Sequence, residues 1–241
     1  MGIIIQNSNG SFTSIDRSLL ETHYDFDKKE RKKFDERKSV DANDIQIINI
    51  NCCSADITLK PNYDKDCSSI DVHFFGEAII NGSIEFSVYK LFNELQVTIT
   101  SNASFINSKL KLEINVPSRS FKTINVESKN GSIQICHDVV MQDLKVRTQN
   151  GSLDSCGVFK NVYANTMNGN IEIVVRSESD LNFDVQTMNG STIIFLYKIG
   201  TCKLQVTSLN GKVKNSFIDS SDYPYTARGR VTSMNGNAVI V

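Results

Sequence analysis

From about residue 121 to the carboxyl terminus, apolar and polar residues alternate in short bursts, and every burst turns at Asn-Gly. Six segments align on that pair: VESKNGSIQI, VRTQNGSLDS, ANTMNGNIEI, VQTMNGSTII, VTSLNGKVKN and VTSMNGNAVI. Their turn residues are Asn130 and Gly131, Asn150 and Gly151, Asn168 and Gly169, Asn189 and Gly190, Asn210 and Gly211, and Asn235 and Gly236. The spacing runs from 18 residues (Gly151 to Gly169) to 25 (Gly211 to Gly236). Three residues before each glycine stands Ser128, Thr148, Thr166, Thr187, Ser208 or Ser233. Five before stands Val126, Val146, Ala164, Val185, Val206 or Val231, and two after stands Ile133, Leu153, Ile171, Thr192, Val213 or Ala238. In the column seven before, Gly229 interrupts an otherwise apolar series.

Alternation with period 2 on both sides of a turn signal predicts strand, turn, strand. Asn-Gly is the strongest two-residue turn pair because both residues tolerate positive φ. One copy is too short to bury its own apolar face, and stacking of about 20-residue units solves that problem. The expected fold is therefore all-β, a single-stranded β-helix or solenoid of Ser/Thr-x-Asn-Gly coils. Each motif position becomes a column, with the asparagines forming a ladder of amides. An antiparallel meander with a hairpin at each Asn-Gly is the competing arrangement.

Upstream the pattern loosens. IQIINI (Ile45 to Ile50), ADITLK (Ala55 to Lys60), SIDVHFF (Ser69 to Phe75), SIEFSVY (Ser83 to Tyr89), LQVTIT (Leu95 to Thr100) and LKLEINV (Leu110 to Val116) each alternate over several residues. They predict irregular amino-terminal coils over 41–120, ahead of regular repeats over 121–241. Residues 1–40 differ in kind. YDFDKKERKKFDERKS (Tyr24 to Ser39) is dense in both charge signs and lacks β alternation, which predicts a charged arm or cap, solvated or briefly helical through pairs such as Asp27 with Arg31. The chain finishes NAVIV, so the last coil is expected to leave open strand edges that an arm, a loop or another subunit covers.

Composition narrows the function classes. The 241 residues are 40% hydrophobic with a net charge of −1, which offers no electrostatic reason to expect nucleic acid as a partner. The run Ile3 to Ile5 is too short for a signal-peptide core, and no apolar stretch reaches transmembrane length, so a cytoplasmic protein without a membrane span is expected. Six cysteines in that setting are expected as free thiols, and no spacing suits a metal or a cofactor.

CCSADITLKP (Cys52 to Pro61), LKLEINVP (Leu110 to Pro117) and the train of Asn-Gly repeats together resemble the putative-adhesin family of β-strand-repeat domains of unknown function, over roughly Asp41 to Val241. The resemblance implies a fold similar to a single-stranded β-helix and implies no catalytic residues.

The column just before the asparagines holds Lys129, Gln149, Met167, Met188, Leu209 and Met234. By alternation with the inward Ser/Thr column these side chains face outward. Met167, Met188, Leu209 and Met234 then form a soft, adaptable stripe for a partner protein. Cys136 and Cys156 fall in one column on neighbouring rungs, where two buried small side chains are the plain reading. His137 and Asp138 beside Cys136 suggest a relay, but adjacent strand residues face opposite ways. Asp154 and Glu172 are the paired carboxylates that a carbohydrate-active β-helix would need. The expectation is a non-enzymatic interaction scaffold, with a partner protein or self-association through the open C-terminal coil. A carbohydrate-active enzyme and a glycan-binding surface adhesin are the alternatives.

Overall fold

The computed structural model describes residues 3–6, 12–15, 30–64, 67–102, 104–176 and 179–241, and among these there is no helix. β1 (Ile3–Gln6) and β2 (Phe12–Ile15) pair with each other, and β3 (Glu30–Asp41) follows. The remaining strands come two by two: β4 (Ile47–Ser54) and β5 (Asp56–Asn62), β6 (Ser69–Asn81) and β7 (Ile84–Leu91), β8 (Glu94–Ser101) and β9 (Ser104–Pro117). The repeats supply β10 (Ser120–Asn130) and β11 (Ile133–Ile135), β12 (Val140–Asn150) and β13 (Leu153–Gly157), β14 (Asn161–Asn168) and β15 (Ile171–Arg176). Last come β16 (Leu181–Asn189) and β17 (Thr192–Tyr197), β18 (Thr201–Ser208) and β19 (Val213–Asn215), β20 (Thr226–Asn235) and β21 (Ala238–Ile240).

Every pair except β6 and β7 sends its first strand into a nine-stranded sheet and its second into a ten-stranded sheet, and β6 and β7 do the reverse. Pairing between successive repeats is parallel and in register: Asn150 lies opposite both Asn130 and Asn168, and Leu153 opposite both Ile133 and Ile171. Parallel pairing excludes the hairpin meander, because a hairpin joins antiparallel strands. The inward columns of the two sheets meet in one core. Val126, Val162, Val185 and Val231 from one sheet and Ile173, Val175, Ile194 and Ile240 from the other are fully buried.

The Asn-Gly turn is a corner between sheets and not a hairpin, and none of the six turn asparagines has positive φ. Four of the turn glycines do: Gly131, Gly169, Gly190 and Gly236. The closeness of the rungs is a second demand for glycine. A Cβ on Gly190 would stand 2.1 Å from the Gly169 carbonyl oxygen, and one on Gly236 would stand 2.2 Å from that of Gly190. The Ser/Thr column exploits the same closeness. Thr166, Thr187, Ser233 and Ser208 donate to the carbonyls of Gly151, Gly169, Gly190 and Gly236 at 2.7 to 3.1 Å. Two residues depart from this: Ser128 donates to the Asn130 carbonyl at 3.2 Å, and the buried hydroxyl of Thr148 lacks a hydrogen-bond partner.

Two features differ from the sequence expectations. The first is the order of coils. β20 pairs with β16 on one side and β18 on the other, and β21 lies between β17 and β19. The last coil in sequence therefore sits inside the stack, and the C-terminal coil is not open. The coil of β18 and β19 is the terminal one, and its residues fit that place. Asn215 occupies an inward column that elsewhere holds Ile135, Ser155, Ile173, Ile194 and Ile240, while Lys203, Lys212 and Lys214 lie exposed along the edge. Charged edge residues discourage pairing with another chain, which argues against self-association through this end. Gly229 is the counterpart inside the stack. Its Cβ would meet the Phe183 carbonyl at 2.0 Å, so the gap in the apolar column is a close backbone approach. At the other end the same exchange occurs, with β4 between β8 and β10 and β5 between β9 and β11.

The second difference concerns β3, β6 and β7. β6 and β7 run antiparallel to β9 and β8, so this stretch is a reversed end layer and not a further coil of the same sense. β3 pairs antiparallel with β6 along twelve residues and forms the edge of the ten-stranded sheet. Residues 30–39, expected to be a solvated or helical arm, are strand. Their charges find partners across the ladder: Arg31 and Lys33 reach Glu77 at 3.6 and 3.7 Å, and Asp35 meets His73 Nε2 at 2.7 Å. Ser39 donates to Asp71 at 2.6 Å, and the Phe34 ring packs 5.3 Å from that of Phe74. Cross-strand pairs of this kind stabilise a charged strand that has little apolar alternation. The Asp27 side of the proposed helical pair lies outside the described residues.

Candidate functional site

Three features are fixed on the outside of this stack, and the first two follow from motif positions. At the corners, the asparagine amides form one chain of donors and acceptors. Asn150 donates to Asn130, Asn168 to Asn150, Asn189 to Asn168, Asn235 to Asn189, and Asn210 to Asn235, all at 2.7 to 2.9 Å. The residue after glycine makes a second ladder: the oxygens of Ser152, Asn170, Ser191 and Asn237 accept the backbone N–H of Asn170, Ser191, Asn237 and Lys212. Both ladders hold the corners in register and leave no slack between rungs.

Next to the asparagines, the expected stripe faces water. Met167, Met188 and Met234 are 44, 41 and 40% exposed, whereas the preceding Thr166, Thr187 and Ser233 are buried. Because β20 lies between β16 and β18, the order along the stack is Met167, Met188, Met234, Leu209. Leu209 at 71% exposure completes the series on the terminal coil, where Val213 and Ile218 are exposed as well. Strand spacing sets successive members about 4.8 Å apart.

The third feature was not singled out from sequence. On the outer face of the nine-stranded sheet, the strands from β8 to β16 line a groove of about 660 Å³. Its centre is a two-by-two arrangement: Lys145 lies opposite Tyr163 on the next strand, and Arg147 opposite Asn165. One rung further, Tyr163 faces Asp184, and Asn165 faces Gln186. Tyr163 is 45% exposed. Asp184 is held by Arg230 through two bonds of 2.9 and 3.0 Å, and this guanidinium keeps its carboxyl below the usual range. Among the described residues the side chains of Lys145, Arg147, Tyr163 and Asn165 make no hydrogen bond or ion pair. The signal was present in the positions four and six before each glycine, but spacing alone does not tell a groove from a flat solvated face.

The other sequence candidates are placed as follows. Asp154 and Glu172 are register partners on the outer face of the ten-stranded sheet, exposed, with Ile193 on the next rung. Neither lines the groove. Cys136 and Cys156 are free thiols and only half-buried, not the buried pair expected, because Cys156 falls in the outward row of β13. Partial burial pushes the Cys136 thiol up, away from the thiolate a nucleophile needs. His137 and Asp138 sit in an exposed turn, 3.4 Å apart, with the Tyr63 hydroxyl at 3.5 Å from each. Among the described residues no group of three or more His, Cys, Asp or Glu could hold a metal ion, and no helix is long and apolar enough to cross a membrane.

Residues 45–222 match the family model Toastrack DUF4097. The chain is similar to the solved structure of a putative cell adhesion protein from Clostridium sporogenes, at 14% identity and a TM-score of 0.57, over 87% of this chain and 99% of that one. It is also similar, at 14% identity and a TM-score of 0.39, to a putative adhesin from Bacteroides fragilis, over 87% of this chain and 98% of that one. At 14% identity the likeness to the Clostridium sporogenes structure is one of fold alone. No curated protein sequence matches.

Proposed function

The chain belongs to the Toastrack DUF4097 family, and from that premise we propose that it is a non-enzymatic, adhesin-like interaction module that binds a partner protein along the stripe of Met167, Met188, Met234 and Leu209. The observation that carries the reading is their shared exposure on consecutive rungs, beside a corner locked by the asparagine ladder. The work of the Ser/Thr-x-Asn-Gly repeat is to hold four apolar side chains at a fixed interval. Unbranched thioethers adapt to the partner's contours while the backbone beneath them stays fixed. In this reading the charged amino-terminal segment closes one end of the stack, and the lysine-bearing terminal coil closes the other.

Replacing Met167, Met188 and Met234 together by Lys tests this. The side chains are outward, so circular dichroism and the melting temperature are expected to stay at wild-type values. Quantitative pull-down is expected to show a specific partner held by wild type and depleted at least about tenfold by the triple variant, since a desolvated apolar anchor cannot carry three charges. A folded variant that retains every wild-type partner would remove the stripe from the site.

A further inference from the structure

We propose that the groove on the outer face of the nine-stranded sheet binds a linear oligosaccharide bearing carboxylates, with Tyr163 as its stacking platform and Lys145 and Arg147 as its charge contacts. The groove runs beside the methionine stripe, which is the outward row two residues after Asn165 and Gln186, but none of the four stripe residues lines it.

The shape selects a single extended chain. The groove crosses the strands from β8 to β16 and is lined by the two outward rows of each, so it is long in the stacking direction and narrow across it. Its floor is the middle of a sheet whose backbone groups are already paired, which excludes an added peptide strand. Strand addition needs a free edge. Recognition must therefore come from side chains, repeated once per rung. The interval of about 4.8 Å is close to the length of one pyranose unit, so a sugar chain along the stack meets a new rung with each ring.

The chemistry selects hydroxyls and a carboxylate. Asn51 and Asn165 present amides that both donate and accept, as vicinal hydroxyls do, and both carry no hydrogen bond among the described residues. Tyr163 offers an exposed ring with a polar tip, suited to the apolar face of a pyranose. Lys145 and Arg147 stand two residues apart on β12 and face the same way, without an acidic partner. A guanidinium with its fork unoccupied is matched to a carboxylate.

Charge placement argues against a nucleic acid. Glu127 lies opposite Arg147 on one side and Asp184 opposite Tyr163 on the other, so carboxylates flank the cationic centre. A ligand with a negative charge on every unit meets repulsion at both flanks, whereas one with an intermittent or centrally placed carboxylate does not.

The test uses calorimetric titration of the full chain with three acidic hexasaccharides whose uronate recurs at every second sugar, from hyaluronan, unsulfated chondroitin and heparosan, and with neutral chitohexaose. At least one acidic hexamer is expected to bind, at least tenfold more tightly than chitohexaose, with affinity falling as salt is raised. Tyr163→Ala and Arg147→Ala are each expected to weaken that binding about tenfold or more. Met234→Ala, a neutral change in the stripe on a strand outside the groove, and Glu172→Ala, on the opposite sheet, are expected to leave it unchanged. All four variants alter exposed side chains, and their folding is checked by circular dichroism. Absence of binding to all three acidic hexamers overturns the proposal, as does equal binding of chitohexaose or affinity unaffected by both groove variants.

Discussion

A chain ending at Asp222 is expected to lose two coils, not one. The truncation removes β20 and β21, yet β18 takes its ladder partners from β20 and β19 takes its from β21. Ala227, Val231, Ala238 and Ile240, all fully buried, go with them. Burying a side chain such as Val or Ile contributes about 1.5–3 kcal/mol, so the loss far exceeds what the thin terminal coil could supply for itself. Val206 and Leu204 of that coil are only partly buried even in the intact stack. Hydrogen exchange with mass spectrometry is expected to show 201–215 unprotected in the truncated chain, with 120–176 still protected. Were the coils stacked in sequence order, the same cut would trim the end coil alone and leave 201–215 protected. Repeat stacks gain stability from neighbours, so removing an inner layer must free the outer one.

The second large effect concerns a single methyl group. Gly190→Ala places a Cβ 2.1 Å from the Gly169 carbonyl oxygen and 2.6 Å from its carbon, and both are backbone atoms of the adjacent rung. Neither side can yield without parting the corner. Parting it also strains the Asn189–Asn168 and Asn235–Asn189 amide bonds and the Ser233 hydroxyl that donates to the Gly190 carbonyl. A loss of about 3 kcal/mol or more is expected, in the range reserved for backbone strain and core disruption. Met188→Ala, two residues earlier and outward, is expected to change stability by no more than about 0.5 kcal/mol. Urea denaturation compares the two through their midpoints. Equal midpoints for Gly190→Ala and wild type would mean that the rungs are not in van der Waals contact at this corner.

The repeat was legible because each column answers one physical demand. Val, Ser/Thr, Asn and Gly recur since the core, the glycine carbonyl, the amide ladder and the rung contact recur. The outward direction of Met167 and Met188 followed from the same alternation. Less legible was the order of rungs, because parallel neighbours look alike in sequence whichever one they follow. The clues were single residues: Asn215 in an inward column, Lys212 where its neighbours offer an oxygen, and Gly229 where an apolar side chain was expected. Each reads as noise until the strand pairing gives it a place. The charged strand β3 was missed for a related reason. Its stability comes from Glu77, His73 and Asp71 on a strand some forty residues away, and no local alternation records that. The groove escaped notice because a polar outward row looks the same whether it lines a depression or a plain surface.

Chemical cross-linking of engineered cysteine pairs tests the exchanged order most directly. Gln186 lies opposite Thr232, and Thr232 opposite Thr207, all on the outer face of the nine-stranded sheet. Gln186 and Thr232 are then one strand spacing apart, about 4.8 Å, and Gln186 and Thr207 twice that. A thiol reagent spanning a single rung, with the link located by peptide mass spectrometry, is expected to join Gln186→Cys to Thr232→Cys and to fail between Gln186→Cys and Thr207→Cys. The reverse result, efficient joining of the second pair and none of the first, would place β18 beside β16, open the C-terminal coil and contradict the account.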